Sequence, residues 1–557
     1  MPELLHPGVY VQELSGAVKP IQGVSTSTAA FIGVTDKGPI PGRVLPNGRV
    51  ARPVLVTSFT DYLRQFGGFR RDSFLTYAVQ AFFANGGARL YIVRVAGKVG
   101  SPPSSPPVGP AAGAVSSGFP MTVSALTEGL WGNNLSLTIS ASSDGDTNNF
   151  KLTVLYDSGS GATPVETYDR VTFQGSPNLL PTGPNPAVYV RNAVNSRSEY
   201  IAITADVNSK PALIAGSKLV NGSDGPAAQS ADFIGTAAAN SNVTGTGLFA
   251  LDKITDVSLI AIPGQGDPAT VNAGVGYCKN QRQLQDTFFI GDMGGIVNPD
   301  GTNNVDSARI EGTQPTVWRV QEDAVPFATT GFGAPPVPLD KASGDFGAIY
   351  FPWVWSADPI GTGRNPKILL PPSGFMAGIY ARIDNSRGVF KAPAGTEAGV
   401  SGALTLATTV GDREQDVLNP ISVNVLRTVP GSGFVVWGAR TFGSDASWRY
   451  IPVRRMAIFL RVSIYYGIQW AVFEPNDEPL WAELRLNIRS FMLTQFRAGA
   501  FQGSKPDDAF FVKCDSSTTT QQDIDNGVVN ILVGFAPLKP AEFVVLKLSQ
   551  KVNQPVG

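Results

Sequence analysis

The stretch SPPSSPPVGPAAGAVSSG, residues 101–118, constrains the fold of this chain more than any other. Its prolines lack a backbone N–H and its serines and glycines offer little apolar surface, so it has no means of building a core. A boundary is expected there, and the sequence changes character across it. Before the linker, AAFIGV (Ala29 to Val34) is a buried-strand run closed by the turn residues Asp36, Gly38 and Pro39. In RDSFLTYAVQAFFANGGARLYIVRVA, Leu75, Ala78, Val79, Phe82 and Phe83 recur at helical spacing after a cap candidate, Asp72. Asn85-Gly86-Gly87 then stops the helix, and Leu90 to Val95 reads as a strand. This helix–turn–strand unit belongs to an α/β layer. After the linker, Met121 to about Phe233 breaks into short alternating runs such as NLSLTIS and FKLTVLYD, the pattern of an all-β domain inserted between two α/β parts.

Helical and buried-strand patterns return near Leu251, with a strand expected over Val257–Ile262 and a helix leading to another strand in GVGYCKNQRQLQDTFFIGD. Further on, VRRMAIFLRVSIYYGIQWAVF is apolar nearly all round, as a core helix is. Its longest apolar stretch is interrupted by Arg461 and Gln469, short of the about 18 unbroken apolar residues a membrane span needs. Glu478 to Phe501 places Trp481, Leu484, Ile488, Phe491 and Phe496 on one helix face and Glu478, Arg485 and Arg489 on another. FFVKCD, VVNILVGF and EFVVLKLSQ then supply three strands. At the other end, HPGVYVQEL holds a strand-prone run, Val9 to Val11, with nothing adjacent in sequence to pair with.

The expected architecture is α+β and multidomain: an N-terminal arm (1–24), a first α/β part (25–100), the linker (101–118), an inserted β-rich domain (119–235), a central α/β domain (236–394), a C-terminal domain (395–540) and a C-terminal arm strand (541–557). A chain of 557 residues holds two to four domains at ~100–200 residues each.

Chemistry is conspicuous by what the sequence withholds. His6 is the only histidine, which removes His-based triads and His-rich metal sites. Cys278 and Cys514 are far apart, so no CxxC half-site and no disulfide framework is expected; both read as small core residues. No DxDxDG loop is present. GTGLFA (Gly245 to Ala250) has the spacing of a dinucleotide loop but follows ANSNVT rather than a strand, and QGSKPDD (Gln502 to Asp508) lacks the first P-loop glycine and carries Pro506. The acids Asp412, Glu414, Asp416, Asp507 and Asp508 read as exposed loop residues. Trp353 and Trp355 alternate on one strand face, and Arg449, Arg454 and Arg455 form a basic group that either meets an acidic partner or caps a solvated helix. Lys+Arg 43 against Asp+Glu 44 gives no basic surface for a phosphate backbone, so no direct nucleic-acid binding is expected. The N-terminus shows Pro2 and Glu3 where a signal peptide would be basic and then apolar. No cofactor, metal or membrane insertion is expected, and two cysteines far apart fit assembly in a reducing compartment.

Several segments in fixed order resemble the tail sheath proteins of contractile bacteriophages and related contractile injection systems: HPGVYVQEL, TSTAAFIGVTDKGP, QFGG at 65–68, YAVQAFFANGGARLYIVRV, and the block from NVLRTVPGSGFVVWGARTFGSDASWRYIPV to AVFEPNDEPLW. The resemblance covers roughly residues 1–97 and 250–557 and does not extend to the insertion. It implies a non-enzymatic structural subunit that forms stacked six-membered rings in a helical sheath around an inner tube protein. Such a sheath is extended and metastable, and contracts to drive the tube through a target envelope in a virion tail or injection particle. Baseplate and tail-terminator proteins are implied partners. The resemblance further implies that both terminal arms add strands to neighbouring subunits. The donated segments would be Gly8, Val9, Tyr10, Val11, Gln12, Glu13 and Leu14 at one end, and Phe543, Val544, Val545, Leu546, Lys547 and Leu548 at the other. The receiving sheet would hold Val528, Val529, Ile531, Leu532, Val533 and Phe535, and Arg485 and Arg489 would be candidates for tube contact in an inner domain made of ~25–97 and ~395–540. The alternative is a β-rich surface adhesin whose inserted domain binds a ligand. That reading leaves both strand-prone arms unexplained.

Overall fold

A computed structural model describes residues 20–97, 115–116, 119–179, 187–240, 242–294 and 339–543. The chain divides into two compact units, Ser25–Arg454 and a smaller one formed by residues up to Val24 together with Arg455 onward.

The larger unit begins with β1 (Ala29–Gly33), whose five residues are all buried, followed by β2 (Val54–Val56), helices α1 (Phe59–Phe66) and α2 (Leu75–Ala84), and β3 (Leu90–Arg94). Ser58 caps α1 by accepting from the Asp61 N–H at 3.1 Å. Asp72 does not cap α2 as its position suggested. It is held by Arg70 at 2.7 Å, and the Ser73 hydroxyl takes the Leu75 N–H instead. α2 stops as expected at Asn85, whose side chain bonds back to the Ala81 carbonyl at 2.9 Å.

The inserted layer contains β4 (Val115–Ser116), β5 (Val123–Ala125), β6 (Leu135–Ala141), β7 (Phe150–Asp157), β8 (Ala162–Thr172), β9 (Val188–Tyr189), β10 (Ile201–Ile203) and β11 (Ile214–Val220). They form one sheet in the order β10-β5-β4-β11-β6-β7-β8-β9, antiparallel except for the β8–β9 pair. Alternation buries Leu135, Leu137 and Ile139 opposite Phe150, Leu152 and Val154. The expectation of an all-β domain needs correction: helix α3 (Val190–Arg197) covers part of the sheet, because Val190, Ala193 and Val194 share one helix face and join that core.

Past α4 (Ser230–Ile234) the chain returns to the first sheet with β12 (Leu259–Ala261), α5 (Pro268–Gly276), β13 (Phe288–Asp292) and β14 (Gly347–Phe351). A small sheet follows from β15 (Val354–Ala357), β16 (Lys367–Leu370) and, after α6 (Ser373–Arg387), β17 (Thr405–Leu406). Helix α7 (Asp412–Leu418) leads into β18 (Val423–Val429) and β19 (Gly433–Val436). Trp353 and Trp355 are both buried in this unit, Trp353 donating to the Met293 carbonyl at 3.3 Å. The main sheet runs β19-β18-β14-β13-β12-β1-β3-β2, with β18 through β3 all parallel and antiparallel strands at both edges. Its central strands are apolar on both faces, as a sheet covered on both sides requires. Residues 25–97 therefore share a sheet with 259–292 and 423–436, so the chain is partitioned at Arg454–Arg455, not at 395.

Helix α8 (Ile451–Gly467) starts at the end of the larger unit and continues into the smaller. It is buried through Met456, Ile458, Leu460 and Val462, but Tyr465 and Tyr466 in its last turn are exposed, so the apolar pattern overstates its burial. Arg454 and Arg455 are buried, not part of a solvated helix start. Helix α9 (Glu478–Arg497), a short α10 (Pro506–Ala509), β20 (Phe510–Lys513), α11 (Gln521–Asp525) and β21 (Leu532–Phe535) complete the described part. No helix among the described residues is long and apolar enough to cross a membrane.

Candidate functional site

In the smaller unit the chain end and the last helices build a ribbon. Asp477 caps α9 by accepting from Leu480 N–H at 3.2 Å, and Pro479 sits in its first turn where no N–H is needed. Trp481, Leu484, Ile488 and Phe491 turn inward as their spacing predicts, while Phe496 is half-buried. Asn476 accepts from the Trp481 indole at 2.9 Å and donates to the Val528 carbonyl at 3.1 Å, which ties the loop before α9 to the segment before β21. β20 and β21 pair antiparallel with Phe510 opposite Phe535 and Lys513 opposite Leu532. Phe501 packs on Phe510 and Phe535 at ring distances of 6.1 and 5.7 Å beneath them. Among the described residues the ribbon has only these two strands, so each keeps one edge of main-chain donors and acceptors without a strand partner. Phe511 and Leu532 are about half exposed beside those edges.

Of the proposed receiving residues, Leu532, Val533 and Phe535 lie in β21, whereas Val528, Val529 and Ile531 precede it; Val529 and Ile531 pack on the Leu480–Trp481–Leu484 cluster. Gly8 to Leu14 and Val544 to Leu548 lie outside the described residues, and Phe543 is exposed. The last residues of the N-terminal arm are fixed: Val24 N–H donates to Ser463 at 3.1 Å, and Ile21 packs where any side chain at Gly467 would collide with it. Arg485 and Arg489 are held within the unit. Arg485 donates to the Cys514 carbonyl and to Glu478, and Arg489 to Asp507 at 2.9 Å. Both keep a third to a half of their side-chain surface exposed. The acids expected in loops lie instead on short helices, Asp507 and Asp508 in α10 and Asp412, Glu414 and Asp416 in α7; Asp507 is an ion-pair partner of Arg489, and Asp412 pairs with Arg427 at 2.8 Å.

In the larger unit, the parallel strands reverse their winding between β1 and β12, where open α/β sheets hold ligands beyond the carboxyl ends of the strands. Beside it, the insertion packs over the carboxyl ends of β1 and β3. Arg94 at the end of β3 is 2% exposed and donates to the Gly38 carbonyl at 2.6 Å and to the Glu128 carbonyl at 2.8 Å. Arg70 binds Asp224 at 2.9 Å and Asp72, and Asp224 accepts the Leu130 N–H at 2.8 Å. Any Cβ at Gly97 would strike the Pro226 carbonyl at 2.3 Å. Burial pushes Asp36 above the ordinary carboxylate range, with Arg70 opposing, and draws Arg94 down to about 10. Lys37 is lowered too, by burial first, against the pull of Asp36 and Glu199. Sequence reasoning took Asp36 only as a turn residue and missed this cluster. The one signal for it was DKG immediately after the first buried strand. Both cysteines are buried free thiols, Cys278 pushed up to about 12 and Cys514 to about 11 by burial. Among the described residues no group of His, Cys, Asp or Glu is arranged to hold a metal ion.

Two family models match contiguously, the phage tail sheath protein central domain over residues 241–442 and the phage tail sheath C-terminal domain over 443–551, together more than half of the chain. The chain belongs to the phage tail sheath family. A tail sheath protein of Vibrio phage KVP40 is 27% identical to this sheath protein over 180 residues, which is 32% of the chain and 26% of that relative, so the match spans about a quarter of the relative's length. The helical sheath of the anti-feeding prophage in its contracted state has the same fold at 20% identity, covering 98% of this chain and 99% of the other with a TM-score of 0.53. The sheath tail protein from Listeria innocua matches 93% of this chain and 96% of its own at 12% identity and a TM-score of 0.57. The family models begin at 241, after the β-rich insertion, while the fold matches run across the sheath protein almost end to end.

Proposed function

We propose that this chain is the repeating subunit of a contractile sheath that polymerises around an inner tube, is held extended, and contracts to drive the tube through a target envelope. The observation that carries the reading is the pair of sheath family models over 241–551, which includes the whole two-stranded ribbon. The ribbon supplies the physical means: an unpaired strand edge recruits an extended segment through main-chain hydrogen bonds, and such a joint survives rigid-body rotation of the bodies it links. The donated segments in this proposal are Gly8 to Leu14 and Phe543 to Leu548, received by Leu532 to Phe535. Val529 and Ile531, packed on the Leu480–Trp481–Leu484 cluster, anchor the segment that leads into the receiving strand, and the Val528 carbonyl is held by Asn476. Arg485 and Arg489 present the exposed part of their charge to the tube. The finer assignments are six-membered rings, a tube protein inside, baseplate and terminator proteins at the ends, and a place in a virion tail or injection particle assembled in the cytoplasm.

The reading is tested by negative-stain microscopy of the purified protein over a range of concentrations. Long striated cylinders are expected. Monodisperse particles that never polymerise at high concentration would overturn it.

A further inference from the structure

Among the cations where the inserted layer meets the loop after β1, one faces aromatic rings. Lys37, in the loop after β1, holds its ammonium 4.9 Å from the ring centre of Tyr200, 5.5 Å from Tyr156 and 5.8 Å from Trp131. These rings come from three separated places in the insertion: the 3-10 turn Leu130–Asn134, β7, and the residue preceding β10. They also pack on one another at 6.2 to 6.4 Å, so they form a box, not three chance neighbours. An ammonium facing several aromatic rings is attracted by their quadrupoles, more strongly where water is excluded. The backbone around Lys37 is fixed on both sides. Thr35 donates to the Lys37 carbonyl at 2.7 Å, and Gly38 N–H donates to Thr127 of the insertion at 3.3 Å. Around it, Arg94 and Arg70 reach carbonyls and carboxylates of the insertion, while the pairs Arg43–Glu128 and Arg64–Glu199 close the rim. Each of these four cations lies on the sheet side and reaches at least one acceptor in the insertion.

We propose that Lys37 and the Trp131–Tyr156–Tyr200 box are a latch that fixes the inserted layer in one orientation on the main sheet, at the loop that leaves the carboxyl end of β1. The latch is specific for a cation: a neutral side chain of equal length fills the box but gives up the attraction to the ring faces, whereas a guanidinium retains it. It is independent of the sheath reading, since every group belongs to one chain and one unit.

The test measures an intramolecular distance by double electron–electron resonance on the full chain. Spin labels are placed through Lys218→Cys on β11 and Asn385→Cys on α6, both exposed, and the labelled protein is diluted in excess unlabelled protein so that contacts between copies do not register. The native Cys278 and Cys514 are buried. The latch predicts a single narrow distance distribution for the parent, a broadened one for Lys37→Met, and a narrow one restored by Lys37→Arg. Disulfide-free thermal melts of all three variants verify that they are folded, and Tyr200→Leu supplies a second opening of the box that leaves Lys37 in place. Combining Tyr200→Leu with Lys37→Met is expected to broaden the distribution no further than either alone. The latch is overturned if the parent is already broad, if Lys37→Met and Tyr200→Leu are both as narrow as the parent, or if Lys37→Arg is as broad as Lys37→Met.

Discussion

Asp292 ends β13 fully buried, accepting from the Gly264 N–H at 2.9 Å and from the N–H and hydroxyl of Ser373 at 2.7 and 2.8 Å. No cation is among its partners, so burial dominates and raises its pKa to about 6 from an ordinary 3.8. The native state thus holds this proton more tightly than the unfolded chain. The associated stability is fully present below about 3.8 and is lost as pH rises through about 6. Lowering pH from 7 to 5 should stabilise the parent relative to Asp292→Asn by about 1 kcal/mol, because asparagine cannot take up the proton and the rest of the gain comes only as pH falls further toward 3.8. Chemical denaturation of both proteins at pH 5, 6 and 7 checks this; parallel pH dependences would refute it. At this scale the sequence was least informative. Asp292 sits in TFFIGD, legible as a strand end, but its role depends on Ser373, eighty residues away, and no local pattern announces that meeting. Lys37 was hidden for the same reason, since its box is assembled from three separated segments of the insertion.

Elements were far more legible, because each answers to its own periodicity and end signals. The buried strands Ala29–Gly33 and Leu90–Arg94, the helix Leu75–Ala84 and the amphipathic helix Glu478–Arg497 all fall where apolar spacing puts them. The failures are instructive. Helix α3 has only Val190, Ala193 and Val194 to mark its face, too short a stripe to outweigh the strand-rich sequence around it. The main sheet's packing also depends on a feature that composition conceals, the contact of α2 with α6 through two glycines. A Cβ at Gly374 would lie 2.7 Å from Ala78 Cα and one at Gly378 2.5 Å from the Phe82 carbonyl oxygen, both backbone atoms that cannot yield. Gly378→Val should therefore wedge the helices apart and destabilise the larger unit by about 1–3 kcal/mol or more. Gly276→Ala in α5 is the matched control: no atom lies within 4 Å of its Cβ, so removing backbone freedom should leave stability unchanged or raise it by up to about 1 kcal/mol. Thermal melts decide, and equal effects at the two glycines would show that helix propensity, not close packing, governs both.

For the whole molecule, the linker and the change of pattern after it disclosed an insertion, but not that residues 25–97 and 423–436 join one sheet, because strand order is set by long-range pairing that periodicity does not encode. The division at Arg454–Arg455, within a continuous helix, was equally invisible. Legible in the sequence were the strand-prone segments at both ends of the chain; the structure adds a ribbon of only two described strands with open edges. A two-stranded ribbon is marginal alone, and extending it with a third strand adds main-chain hydrogen bonds and covers exposed Phe511 and Leu532. If the third strand came from the same chain, removing it would loosen the smaller unit of every isolated molecule. If it comes from a neighbour, removal should leave the isolated chain's melting unchanged while abolishing ordered polymers. Two truncations separate these cases, one deleting Pro2 to Leu14 and the other deleting Val544 to Gly557. Neither removes a residue of the described core. Each alone is expected to keep the parent melting temperature under conditions where the protein is monomeric, and to show no cylinders by microscopy. Mixing the two truncated proteins gives each copy one intact arm, so short or irregular polymers should return if the two arms act independently and none if every subunit needs both. Cylinders of normal length and order from either truncated protein alone would show that the lattice is held by other surfaces, and the strand-exchange proposal would fall while the family assignment stood.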